Sequence, residues 1–137
     1  MRTSVRVTSQ GSPYGRFRRA LDRRQPTAAL SAAAELRHVA LTDALELLLL
    51  LRDSHPDRYP RAALRWHARY CREIPGVTLT EAAAILTLLA ALADGPGHPP
   101  ARALAGLFDA RELDQPARIL SRWVEAGTNA EKASARR

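Results

Sequence analysis

The chain holds a single cysteine, Cys71, and a single lysine, Lys132, among its 137 residues. One thiol cannot form an internal disulfide, so the fold is expected to stand on packing alone, in a reducing cytoplasm. Aromatic residues make up only 5% of the chain. Val, Ile and Thr are scarce and no segment alternates apolar with polar positions, which argues against a strand-built protein. Long apolar runs are missing as well. The window Ala44 to Leu51 contains Glu46, and Ala82 to Ala93 is closed by Glu81 and Asp94. Both fall short of the roughly 18 apolar residues that a membrane-spanning helix needs. The opening Met1-Arg2-Thr3-Ser4-Val5-Arg6-Val7 is basic but has no apolar stretch behind it, so it does not read as a secretory leader. The sequence has no glycine-rich phosphate loop, no Gly-x-Ser-x-Gly elbow and no carboxylate pair in an apolar setting. No cofactor, metal or catalytic residue is expected, and the chain reads as non-enzymatic.

What is present favours helix. The chain contains 26 Ala, 20 Leu and 20 Arg, all strong helix formers. With 46% hydrophobic residues it can repay the entropy of ordering, and a chain this long buries roughly two-thirds of its unfolded surface. The net charge is +7. Arginine without lysine suits bidentate grip on phosphate or carboxylate, but GC-rich coding produces the same bias, so charge alone does not choose a partner.

Helix signals divide the chain into a flexible basic arm (1–12), a single all-α domain (13–126) and a disordered polar tail (127–137). Pro13 starts a first helix to about Arg24, with Phe17, Ala20 and Leu21 on one face and Arg16, Arg19 and Arg23 on the other. Gln25-Pro26 breaks it, and an Ala-rich second helix runs to about His38. Thr42 can cap a third helix, Asp43 suits its positive end, and the leucines 47–51 follow. That leucine-rich helix must be surrounded, within one chain or across a homo-oligomer. Pro60 opens a fourth helix to about Ile74. Thr78-x-x-Glu81 reads as a capping box opening a fifth to about Ala93. A sixth covers about Ala101 to Ala110, and a seventh Gln115 to Glu125.

An internal similarity appears at an offset of 38: Val39, Leu41, Thr42, Asp43, Ala44, Leu47 and Leu48 align with Val77, Leu79, Thr80, Glu81, Ala82, Ile85 and Leu86. Two arrangements satisfy it, a short solenoid-like stack of helical hairpins or a compact orthogonal bundle.

The strongest interaction signal is on the fourth helix. Arg61, Arg65, Arg69 and Arg72 form one stripe, preceded by Arg58, while Ala63, Leu64, His67, Tyr70, Cys71 and Ile74 lie opposite and are expected in the core. Like charges at this spacing repel, so an anionic partner would relieve them, as would internal acids such as Asp43, Glu46, Asp53 or Asp57. Charge is also uneven along the chain. Residues 1–40 carry eight Arg against Asp22 and Glu35, a balance of +6, whereas residues 76–128 balance at −2.

Two other motifs are weaker. Ala103 to Leu107 followed by Gln115 to Trp123 faintly has the form of a helix-turn-helix, with Gln115, Arg118 and Arg122 outward, but its connection looks too long and its region is acidic. His67 and Cys71 lie one turn apart without the spacing of further metal ligands, and read as an interior histidine and a small hydrophobe.

The segment Ser12-Pro13-Tyr14-Gly15-Arg16-Phe17-Arg18-Arg19-Ala20-Leu21, with Leu41 to Leu47 and Ala63-Leu64-Arg65-Trp66, resembles small Ala/Arg-rich helical proteins of actinomycete type over about residues 12–125. The resemblance implies a small helical protein and carries over no site residues. The expected function is an α-helical adaptor binding another macromolecule through Arg16, Arg19, Arg23, Arg58, Arg61, Arg65, Arg69 and Arg72. A protein is the leading partner; the alternative is DNA or RNA held by the basic N-terminal region and the fourth-helix stripe.

Overall fold

A computed structural model describes residues 12–137, and the arm expected at 1–12 falls almost wholly outside them. Seven helices follow in order: α1 (Pro13–Asp22), α2 (Pro26–Ala34), α3 (Leu41–Ser54), α4 (Tyr59–Glu73), α5 (Leu79–Ala93), α6 (His98–Ala110) and α7 (Asp114–Ala135). The described residues contain no strand.

Local chemistry sets most starts. Ser12 caps α1, its hydroxyl accepting from the Gly15 amide at 2.9 Å, and prolines occupy the first turns of α1, α2, α4 and α6. There the missing amide costs nothing and the ring presets φ. Thr78 caps α5 by accepting from the Glu81 amide at 3.1 Å. The reciprocal half of the expected box is absent, because the Glu81 carboxylate takes Tyr70 Oη at 2.8 Å and Arg111 Nε at 2.9 Å. Thr42 does not cap α3, which starts earlier, at Leu41 behind Ala40.

Two helix ends close through the left-handed region without a glycine. After α1 the Gln25 amide reaches back to Ala20 at 2.9 Å while Arg24 sits at φ +54°, and after α6 the Leu113 amide reaches Phe108 at 2.8 Å with Glu112 at φ +60°. These are left-handed closures built on residues that adopt them at a cost. The second leaves a connection of only three residues, Arg111 to Leu113, shorter than the sequence suggests.

The main core is formed by α3 to α7 and centres on Leu45, Leu49, Ile85, Leu89, Leu104 and Leu120. Trp66, Tyr70 and Phe108 meet inside it with ring centroids 5.5 to 6.0 Å apart. Buried polar ends find partners: Tyr59 Oη donates to the Leu89 carbonyl at 2.7 Å and Trp66 Nε1 to the Leu41 carbonyl at 2.9 Å. A smaller core joins α1, α2 and the flank of α3 through Phe17, Leu21, Ala29, Ala32 and Leu50. The leucines of α3 are thus enclosed by this one chain.

The repeat is visible in the elements, since α3 and α5 begin 38 residues apart and each opens a helical hairpin. The hairpins do not extend as an open stack. α7 returns to α3, where Trp123 Nε1 donates to Asp53 at 2.8 Å, so the helices pack as a compact bundle.

The chain end differs from expectation. Where a disordered tail from 127 is expected, α7 continues to Ala135. Ala130, Glu131, Lys132 and Ala133 are good helix formers, no proline intervenes, and Gly127 lies where any side chain would collide with the His98 ring at 2.6 Å. α2 is shorter than expected, ending at Ala34 instead of His38, so that Leu36 and Val39 can turn into the smaller core.

Candidate interaction surface on helix α4

α4 lies between α3 and α5 in the bundle. Its buried side is Tyr59, Ala63, Trp66 and Tyr70. The outward side carries Arg61, Leu64, Arg65, Ala68 and Arg72, all exposed; Leu64, expected in the core, instead retains 59% of its accessible area because helical spacing sets it on the side of Arg61 and Ala68, away from Ala63, Trp66 and Tyr70. An exposed leucine among arginines is the composition of a recognition face, combining an apolar anchor with charge that selects sign.

Three of the four acids expected to neutralise the stripe, Asp43, Glu46 and Asp53, are engaged elsewhere, and Asp57 is exposed without an ion pair to it. Arg18 of α1 bridges Asp43 at 3.1 Å, Glu46 at 3.0 Å and Asp22 at 2.7 Å. Its hydrogen bonds to Glu46 and Asp22 hold the guanidinium firmly charged. Asp53 takes Arg24 at 2.8 Å, Arg52 at 3.2 Å and the Trp123 indole. Among the described residues, no carboxylate lies within 4.0 Å of Arg58, Arg61, Arg65 or Arg72.

Arg69 departs from the stripe. It pairs with Glu73 at 2.8 Å and donates to the Val39 carbonyl at 2.7 Å, which ties α4 to the α2–α3 connection. The Arg69 guanidinium holds the Glu73 carboxyl below its ordinary range, with lesser help from His38 and Arg72. Arg69 is therefore a structural clasp, and four of the five expected α4 arginines remain outward.

The α1 arginines do not join this face. Arg16 pairs with Glu35 across α1 and α2 at 2.7 Å, and Arg23 is exposed at the end of α1. α1 packs on α2 and α3 but α4 on α3 and α5, so the two expected arginine sets stand on different flanks of α3.

Beside the α4 row runs a groove of about 220 Å³ between α3 and α4. Ala44, Leu47, Leu51 and Ala62 line it, with Trp66 beneath and Arg65 and Arg69 along one wall. Leu47 also packs on the smaller core. A larger open cleft of about 670 Å³ lies between α6 and α7, but Arg102, Asp109, Glu125 and Lys132 give it charges of both signs and no preferred ligand sign.

The weaker motifs resolve as follows. Gln115, Arg118 and Arg122 line a cleft with Asp43 and Glu46, so acids face the would-be reading residues of α7. His67 Nε2 lies 2.7 Å from the Ala82 carbonyl, where it serves as a donor joining α4 to α5, and Cys71 Sγ is 3.9 Å from the same nitrogen. Among the described residues, no group of three or more His, Cys, Asp or Glu could hold a metal ion, and no helix is long and apolar enough to cross a membrane.

Sequence reasoning missed Arg18, Arg24 and the groove. Arg18 sits off the stripe of α1, and nothing local signals that it meets three acids. No family model, curated protein or solved structure matches this chain.

Proposed function

We propose that this chain is a helical adaptor whose α4 face binds an acidic surface of another protein. One observation carries the reading: Arg61, Arg65 and Arg72 stand exposed on α4 and Arg58 at its N-cap, none with a carboxylate of the described residues within 4.0 Å, while Asp43, Glu46 and Asp53 pair with other arginines. Like charges one turn apart repel, and a partner carboxylate converts that cost into charge-assisted hydrogen bonds. Leu64 within the row favours a protein partner, because an apolar contact gains from a protein surface and little from phosphate. A nucleic-acid reading needs the α1 and α4 arginines to act as one track, and they lie on different flanks of α3. A reducing cytoplasm is the compartment that the free thiol of Cys71 fits.

The test is co-purification of the tagged protein from its native host, wild type against Arg61→Glu/Arg65→Glu. A stoichiometric protein partner should be recovered by the wild type and lost by the variant, with helicity by circular dichroism unchanged. Equal recovery by both proteins overturns the role of α4. Tight binding of duplex DNA or structured RNA at about 200 mM salt, lost in the same variant, replaces the protein reading with the phosphate one.

A further inference from the structure

We infer that the α3–α4 groove docks one amphipathic helix of an acidic partner, an inference that rests on the protein-binding reading above and specifies its partner. The geometry points to this occupant for four reasons.

The first is polarity. The floor and one bank are apolar, formed by Ala44, Leu47, Leu51 and Ala62 over Trp66. A slot of about 220 Å³ takes a few aliphatic side chains, as one stripe of a helix supplies them. The second is sign. Arg65 rises directly from the groove wall and Arg61 stands one turn before it, both exposed and without an acid among the described residues. The other side is α3, which lines the groove with Ala44, Leu47, Leu48 and Leu51 and contributes no charge. The site is thus basic on one bank and neutral on the other, which fits a helix whose carboxylates flank its apolar stripe on one side.

The third reason is backbone chemistry. The groove is walled by helices whose amides and carbonyls are satisfied internally, so it offers no edge for an extended peptide to extend. The fourth removes nearer occupants. The chain's own residues 1–12 include Arg2 and Arg6 and no acid, so their sign opposes the basic bank. A second copy brings a net charge of +7 to the same bank.

The test is selection of helix-length random peptides, displayed on phage, on the folded full-length protein at about 150 mM salt, where long-range attraction is screened. Enriched peptides should carry apolar residues at i, i+3 or i+4, and i+7, with Asp or Glu beside that stripe. A labelled synthetic copy of the leading peptide should bind about tenfold more weakly to Arg61→Gln/Arg65→Gln and to Ala62→Met, which fills the slot with a helix-favouring side chain. Should Ala62→Met lose its helical signal, Ala44→Met fills the same slot from α3. Neutral or basic selected peptides, or equal affinity for the filled variants, overturn the proposal. The two readings separate in the host co-purification. A partner lost by Arg61→Glu/Arg65→Glu but retained by Ala62→Met sinks the groove and leaves the arginine face standing, and a partner retained by both sinks the two together.

Discussion

Arg18 is the residue whose removal should reveal why the α4 arginines have no internal acids. It joins α1 to α3 through Asp43 and Glu46, and all three side chains are largely enclosed, at 29%, 14% and 25% of their accessible areas. Exposed ion pairs contribute about 0.2–1 kcal/mol. Removing one partner of a fully buried pair costs about 3–5 kcal/mol, because the other charge is left without compensation. A largely enclosed cation serving two acids of α3 and the exposed Asp22 of its own helix falls between these limits, so Arg18→Ala should cost about 2 kcal/mol. With a urea slope of about 2 kcal/mol/M, the unfolding midpoint should fall by about 1 M, followed by helical circular dichroism. Much of that loss reflects orphaned acids, not a lost bond. In an Asp43→Asn/Glu46→Gln background the same substitution should therefore cost only about 0.5 kcal/mol, leaving a coupling near 1.5 kcal/mol. An equal cost in both backgrounds, or a single-variant loss below about 0.5 kcal/mol, would refute the reasoning. It would mean that Asp43 and Glu46 are not committed to α1, and the unpaired state of the α4 row would lose its explanation.

Other expectations follow from the same structure. Glu112→Gly should stabilise the protein by about 0.5–1 kcal/mol, since glycine accepts the left-handed backbone at φ +60° without strain; a lower midpoint in the same urea assay contradicts this. Gly97→Ala should destabilise by about 1–3 kcal/mol, because its Cβ would meet the Trp123 ring at 2.7 Å and Leu92 at 3.1 Å. Red-shifted, weakened tryptophan emission should accompany that loss. Stability should also fall at high pH. Burial pushes the Tyr70 hydroxyl up to about 12, with its bond to Glu81 adding, and burial raises Tyr59 further, while both titrate near 10 in the unfolded chain. The unfolded state therefore gives up these protons first. Their contribution is complete below pH 10 and is lost as pH rises from there toward 12 and beyond. Tyr59→Phe should flatten this alkaline decline while costing about 1 kcal/mol at neutral pH through the lost bond to the Leu89 carbonyl. An unchanged alkaline slope would show that Tyr59 does not titrate in this way.

The sequence by itself determined the class of the protein and most of its segmentation. Proline and hydroxyl caps act within one turn, so Ser12-Pro13, Pro26, Pro60 and Thr78 place helix starts regardless of what packs against them. Apolar periodicity likewise marked Phe17, Ala20, Leu21, Ala63 and Tyr70 as interior, though Leu64, read with them, stands exposed. The ends of α1 and α6 were legible to within two residues, but the left-handed closures at Arg24 and Glu112 that make them were not, because they use residues with no local signal for them. The last helix ran past its expected end because Gly127 serves close packing against His98 instead of termination.

Tertiary structure decided everything that depends on which charges meet. A stripe of arginines is legible from helical spacing, but its freedom is not, because that depends on acids more than twenty residues away in sequence. Arg18 reaches Asp43 and Glu46 only because α1 lies across α3, and Arg69 leaves the stripe only because the α2–α3 connection brings the Val39 carbonyl to it. The groove has the same origin. Ala44, Leu47 and Leu51 belong to one helix and Ala62 and Arg65 to the next, so it exists only where α3 and α4 pack side by side. Spacing along one helix fixes which side chains share a face, and packing between helices fixes which of those faces is left for a partner.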